Sequence, residues 1–111
     1  MCLLEDDILC VGGKGFYLIK ISTHQLIKNI LGPITIFAIN ECLDGLFLCS
    51  IIDEKGNHSL VKYKYELQNL KKIFEKEKAH NSWILSCVEL NDGTIASGGC
   101  GDGYSIKLWQ D

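Results

Sequence analysis

The 111-residue chain has one proline against 11 glycines, a balance that fits many tight turns. No apolar run approaches the roughly 18 residues of a membrane-spanning helix, so no membrane segment is expected. Met1 to Asp7 turns acidic at once, unlike a secretory signal with its basic start and apolar middle. Basic charge is not in excess: the net charge is −3 and the pI near 5.5, which argues against nucleic acid as the main partner. No C-x-x-C is present. The six cysteines mostly sit within apolar runs and read as buried free thiols of an intracellular, cytoplasmic or nuclear, protein. His24, His58 and His80 are scattered, and none pairs with a Cys or His at ligand spacing, so no metal is expected. The residues are 47% hydrophobic, which marks a folding chain of one domain with a modest core.

What the chain does have is concentrated in Ala79 to Asp111. A histidine and a tryptophan, His80 and Trp83, open this stretch. An apolar run follows from Trp83 to Leu90. Asn91-Asp92-Gly93 reads as a turn, and Thr94 to Ser97 is a second short run. Gly98 to Gly103 reads as a glycine-rich turn, and Tyr104 to Trp109 closes the unit. Short β-prone runs between Gly, Asn and Asp clusters predict an antiparallel meander.

His80, Trp83, Asp92-Gly93, Ala96-Ser97-Gly98, Asp102-Gly103 and Ile106-Lys107-Leu108-Trp109 resemble a WD repeat, the WD40 unit of one class of β-propeller. The elements fall in the family's order at close to its spacing. The stretch departs from the pattern in three places. Ala79 replaces the usual glycine before the histidine. The loop before Ser105 carries about one extra residue. Gln110 replaces the aspartate that usually follows the tryptophan.

Weaker copies precede this unit. Met1 to Glu5 reads as the tail of a strand, Ile8 to Val11 and Phe16 to Ile21 as runs around a Gly12-Gly13-Lys14-Gly15 turn. Leu26 to Ile30 follows, then a loop at Gly32-Pro33, since a central strand would not tolerate proline. A second copy runs through Ile34 to Ile39, a turn at Leu43-Asp44-Gly45, Leu46 to Ile52 and Ser59 to Tyr65. Lys20, Lys62 and Lys107 recur at about 42 and 45 positions, inside the roughly 40–45 of such repeats. Cys10 and Cys49 take matching places, with Ala96 in the third copy. Glu66 to Lys78 carries Leu67, Leu70, Ile73 and Phe74 at helical spacing, but the repeat register calls for a strand around Leu70 to Glu75.

The expected fold is therefore all-β. Antiparallel four-stranded meander blades build a partial, open WD40 β-propeller of about two and a half to three blades. Residues 1–30 form an incomplete first blade and 31–78 a second. Residues 79–111 form a third blade lacking its outer strand. Propellers close with about four to eight blades, so the chain reads as part of a larger ring or as a piece that pairs.

His80, Ser97 and Asp102 also invite a serine-hydrolase reading, but no G-x-S-x-G elbow is present. The glycine clusters fit neither phosphate-loop pattern, and no cofactor is expected. The resemblance implies instead that His80, Ser97, Asp102 and Trp109 form a buried structural hydrogen-bond tetrad. It implies a non-enzymatic scaffold that presents loops to other proteins or peptides. Trp83, at the opening of an inner strand, reads either as a protein-binding position, with Asn81 and Ser82, or as a core tryptophan between blades. Self-association or pairing with further blades is expected of exposed apolar faces. The alternative is a targeting or regulatory piece of a multidomain protein, such as a kinase or ubiquitin-ligase adaptor.

Overall fold

The computed structural model describes all residues except Met1, Asp6, Leu43, Asp44, Leu67, Gln68, Asp111 and residues 100–105. For Cys2, Glu5, Leu31 and Pro33 it describes the backbone alone. The described residues form nine strands: β1 (Cys2–Glu5), β2 (Ile8–Lys20), β3 (Gln25–Glu41), β4 (Leu46–Ile52), β5 (His58–Glu66), β6 (Asn69–His80), β7 (Ile84–Glu89), β8 (Ile95–Gly99) and β9 (Ile106–Trp109). All pairings are antiparallel and join strands consecutive in the chain: β1 to β6 in one sheet, β7 to β9 in another. No helix of the structure is long and apolar enough to cross a membrane.

β2 is continuous but not straight. Thirteen extended residues would span about 43 Å. Yet the Ile21 amide donates to the Asp7 carbonyl at 2.9 Å, and Ser22 donates to the Asp7 carboxylate through its amide and its hydroxyl. β2 therefore doubles back around Gly12–Gly15, where the glycine cluster predicts a turn. Gly15 has φ 78°, and a Cβ there would lie 2.6 Å from the Ile30 carbonyl oxygen. Only glycine fits both conditions.

β3 also serves two neighbours. Gln25–Ile30 pairs with the second limb of β2, and Thr35–Glu41 pairs with β4. Between Ile30, opposite Phe16, and Thr35, opposite Lys14, the two strands fall out of step. Gly32 and Pro33 stand in that gap. The sequence suggests a loop there; the backbone stays extended but leaves the ladder, which spares proline an unmet ladder position. The ambiguous segment is a strand, β6, and not a helix. Its apolar residues are needed opposite β5.

The strands pack as three layers in chain order. The first is β1, both limbs of β2 and the first half of β3. The second is the rest of β3 with β4, β5 and β6. The third is β7 to β9. β4 and β5 are buried along five consecutive residues each, Phe47–Ile51 and Ser59–Tyr63. Successive side chains point to opposite faces, so both faces of this layer are covered. Phe47, Cys49, Ile51, Val61 and Tyr63 face the first layer and pack with Cys10, Phe16, Leu18 and Ile30. Phe16 meets Phe47 and Tyr63 edge-on, with ring centroids 5.6 and 5.4 Å apart. Leu48 and Leu60 face the third layer and pack with Ile84, Cys87 and Ile95. Polar groups tie the same two layers. The Asn40 amide donates to the Cys87 carbonyl at 2.7 Å and the Ser50 hydroxyl to that of Ile84 at 2.9 Å. Buried Lys62 forms an ion pair with Glu89.

The hairpin turns of the second and third layers match. Gly45 and Gly93 both have positive φ, 73° and 88°, and each precedes the next strand. From that point Phe47 corresponds to Ile95, and the ladders align Cys49–Val61 with Ser97–Lys107. The sequence spacing pairs Cys49 with Ala96 and Lys62 with Lys107. The structure shifts both by one: Cys49 matches Ser97, and Lys62 matches Leu108. The turns between the paired strands differ in length, which the lysine spacing alone cannot register.

Cys10, Cys49 and Cys87 are buried free thiols and Cys42 a half-buried one. Burial pushes the Cys49 thiol well above its ordinary value, and pushes Cys87 up to about 12. Cys10, Cys49 and Cys87 are therefore expected to resist iodoacetamide in the folded chain and to label once it unfolds; mass mapping before and after denaturant checks this. Phe16→Ala is expected to cost about 3–5 kcal/mol, and exposed Ile73→Ala under about 0.5, read from urea midpoints.

Candidate functional site

His80 is the last residue of β6, opposite His58 in the ladder, and is buried. Ser97 lies in the middle of β8, between Cys87 and Lys107, and is 2% exposed. Trp109 ends β9, opposite Ile95. These three elements converge on one hydroxyl. His80 Nε2 lies 2.7 Å from Ser97 Oγ, and Trp109 Nε1–H donates to the same oxygen at 2.9 Å. An oxygen that accepts from the indole has its own proton free to donate. The hydroxyl can therefore donate to an unprotonated His80 Nε2, an arrangement in which the neutral ring carries its proton on Nδ1. Burial first, then the charges of Lys107 and His58, holds the imidazole below its ordinary 6.5. The neutral ring and the acceptor role agree.

Gly99 explains how the ring fits. A Cβ at Gly99 would lie 2.7 Å from His80 Nδ1. The glycine run reads as a turn in the sequence, but Gly98 and Gly99 continue β8. Gly99 is needed for the close approach of an imidazole. The surround reinforces the tie. Lys107 Nζ donates to the Ala79 carbonyl at 3.1 Å, and Lys76 and Lys107 lie 5.2 and 5.9 Å from the Trp109 ring centroid. Each cation over the indole is worth about 0.5–1 kcal/mol at such a half-exposed place. Asp102 lies outside the described residues. Three of the four sequence-predicted network residues are thus brought together.

Trp83 stands apart from this network. It follows Asn81, exposed, and Ser82, half-buried, in the turn between β6 and β7. Trp83 is 52% exposed, and its ring lies 6.0 Å from that of Phe37, tilted by 31°. Phe37 escapes a reading of the sequence because Ile36 to Ile39 is apolar throughout. The ladder explains its exposure: pairing skips from Ile36 to Ala38, so Phe37 sits in a bulge. Leu85, in the place matching Phe37 on β7, is exposed too. A row of large apolar side chains thus lies along the outward side of β3 and β7.

The chemistry of these places differs. Ser97 has no open approach, and its oxygen is engaged from both sides. An open cleft of about 390 Å³ has Ile34, Ile51, Tyr63 and Leu70 for its floor and the Lys72–Glu75 ion pair on its rim. Among the described residues, no three His, Cys, Asp or Glu side chains converge as metal ligands would. Comparison with known proteins returns no matching family model, no matching curated protein and no matching solved structure.

Ser97→Ala leaves the buried His80 ring nitrogen without this partner, at a cost of about 1–3 kcal/mol, and the half-buried Trp109 indole without its acceptor. Combined with His80→Ala, the loss is expected to fall clearly short of the two single losses summed. A double-mutant cycle in urea measures it. The depressed His80 value also sets a pH dependence. The unfolded imidazole binds protons that the folded one refuses, so stability is full above about 6.5 and falls as pH drops below it. His80→Gln is expected to flatten that decline in a pH series of melting curves.

Proposed function

We propose that this chain is a part of an open WD-repeat β-propeller and acts as a non-enzymatic platform for other proteins or peptides. The observation that carries this reading is the Ser97 hydroxyl, held between His80 and Trp109. In the WD-repeat pattern those residue types serve as a structural tie, and Asp102 completes it. The three stacked antiparallel meanders support the same reading, as does the match of the Gly45 and Gly93 turns. Each layer then stands for one blade, within a cytoplasmic or nuclear protein.

On this reading the outward row formed by Phe37, Trp83 and Leu85 is the partner-binding place. Aromatic side chains carry much of the energy of protein interfaces, because they bury a large area with little entropy loss. Trp83 and Phe37 already contact one another, so part of their ordering is complete before a partner arrives.

Affinity capture with the intact chain tests the platform. Trp83→Ala and Phe37→Ala are expected to weaken capture of the bound protein by tenfold or more, with melting temperature unchanged to within a few degrees. Equal capture by the doubly substituted chain would reject this surface. Labelling of Ser97 by a fluorophosphonate probe would move the reading to a hydrolase.

A further inference from the structure

Each layer has a forward face, toward the layer after it, and a backward face, toward the layer before it. Both internal contacts put a forward face on a backward one. Phe16 and Leu18 meet Phe47 and Tyr63; Leu48 and Leu60 meet Ile84 and Ile95. Among the described residues, two faces have no layer against them. They are the forward face of the third layer and the backward face of the first.

The register says what belongs on each. In the second layer, Asn40, Leu48 and Lys62 form one cross-strand row, and Ser50 with Leu60 the next. In the third, the matching rows are Val88, Ala96 and Leu108, then Gly98 and Ile106. The second-layer rows are buried or bonded to β7. The third-layer rows are bare: Ile106 is 79% exposed and Leu108 65%. On the first layer, Leu9, Val11, Tyr17 and Ile19 alternate with core residues and are only half-buried. Leu26, opposite Ile19 on the same face, is 59% exposed.

One pair of positions makes the match specific. Between the second and third layers, Lys62 meets Glu89. Leu108 takes the place of Lys62 on the bare forward face. Leu3 takes the place of Glu89 on the bare backward face: it stands opposite Leu9 as Glu89 stands opposite Ile95. Leu3 is 50% exposed. Where the internal contact has opposite charges, the two free faces have leucine on both sides. An apolar side chain facing a charge would leave that charge buried and unpaired. Leucine facing leucine has no such conflict.

We propose that a second copy of this chain covers these faces, the forward face of each copy docking on the backward face of the other. Such a head-to-tail contact closes when the rotation per copy allows it. The closure rests on the propeller reading; the pairing of the faces rests on register and exposure alone.

Sedimentation velocity on the full chain, from low micromolar to submillimolar concentration, tests this. The expected species has twice the 12.4 kDa chain mass. Leu108→Lys and Leu3→Glu, both at exposed positions, are each expected to weaken dimerisation by about tenfold or more. Joined in one chain, they reproduce the Lys62–Glu89 pair between copies and are expected to restore dimerisation. Far-UV circular dichroism should be the same for all four chains. A monomer throughout the concentration range would overturn the proposal, as would failure of the double substitution to restore what each single one removes. An open series of masses growing with concentration would overturn the closed pair.

Discussion

The strands Leu46–Ile52 and His58–Glu66 are buried on both faces along Phe47–Ile51 and Ser59–Tyr63, and this constraint shapes everything around them. A sheet with one apolar face can lie against one neighbour and show water the other side. A sheet with two must be covered twice, at a spacing of about 10 Å on each side. β4 and β5 therefore hold the centre of the chain, with a meander from the N-terminal part on one side and one from the C-terminal part on the other. The aromatic trio of Phe16, Phe47 and Tyr63 fills the first contact. Aliphatic side chains and Cys87 fill the second, aided by Asn40, Ser50 and the Lys62–Glu89 pair.

The His80 network answers a different need. The third layer is small: β8 and β9 have five and four residues. Short strands bury little area, so packing alone fixes them weakly. Ser97, bonded to His80 at the end of β6 and to Trp109 at the end of β9, ties this layer to the one before it. Buried polar groups that satisfy one another specify a geometry that apolar contact leaves loose. The Ser97 hydroxyl is buried and engaged from both sides, and it holds the ends of β6 and β9 against β8.

Much of this was legible in the residues. Strand runs between glycine-containing turns mark out the meanders, and Gly15, Gly45, Gly56 and Gly93 have the positive φ that such turns require. His80, Ser97 and Trp109 are expected together from the resemblance of their types and spacing to a repeat, and the structure brings them together. Other features depend on register, which composition does not display. The lysine spacing misplaces the third unit by one residue against the second, and a shift of one sends a side chain to the opposite face. Phe37 looks like core in an unbroken apolar run; a bulge turns it outward beside Trp83. Gly99 looks like part of a turn, yet its lack of a Cβ serves the approach of the His80 ring. The Lys62–Glu89 pair joins residues far apart in sequence, and nothing local announces it.

A central layer covered on both faces opens only when the whole chain unfolds, whereas strands at the ends of the stack open on their own. Amide hydrogen exchange under native conditions separates these cases. The amides of Phe47–Ile51 and Leu60–Tyr63 are predicted to exchange last, at the rate set by global unfolding. Those of β1 and β9 are predicted to exchange well before them. Early exchange in β4 and β5, or protection spread evenly over all nine strands, would contradict the layered account.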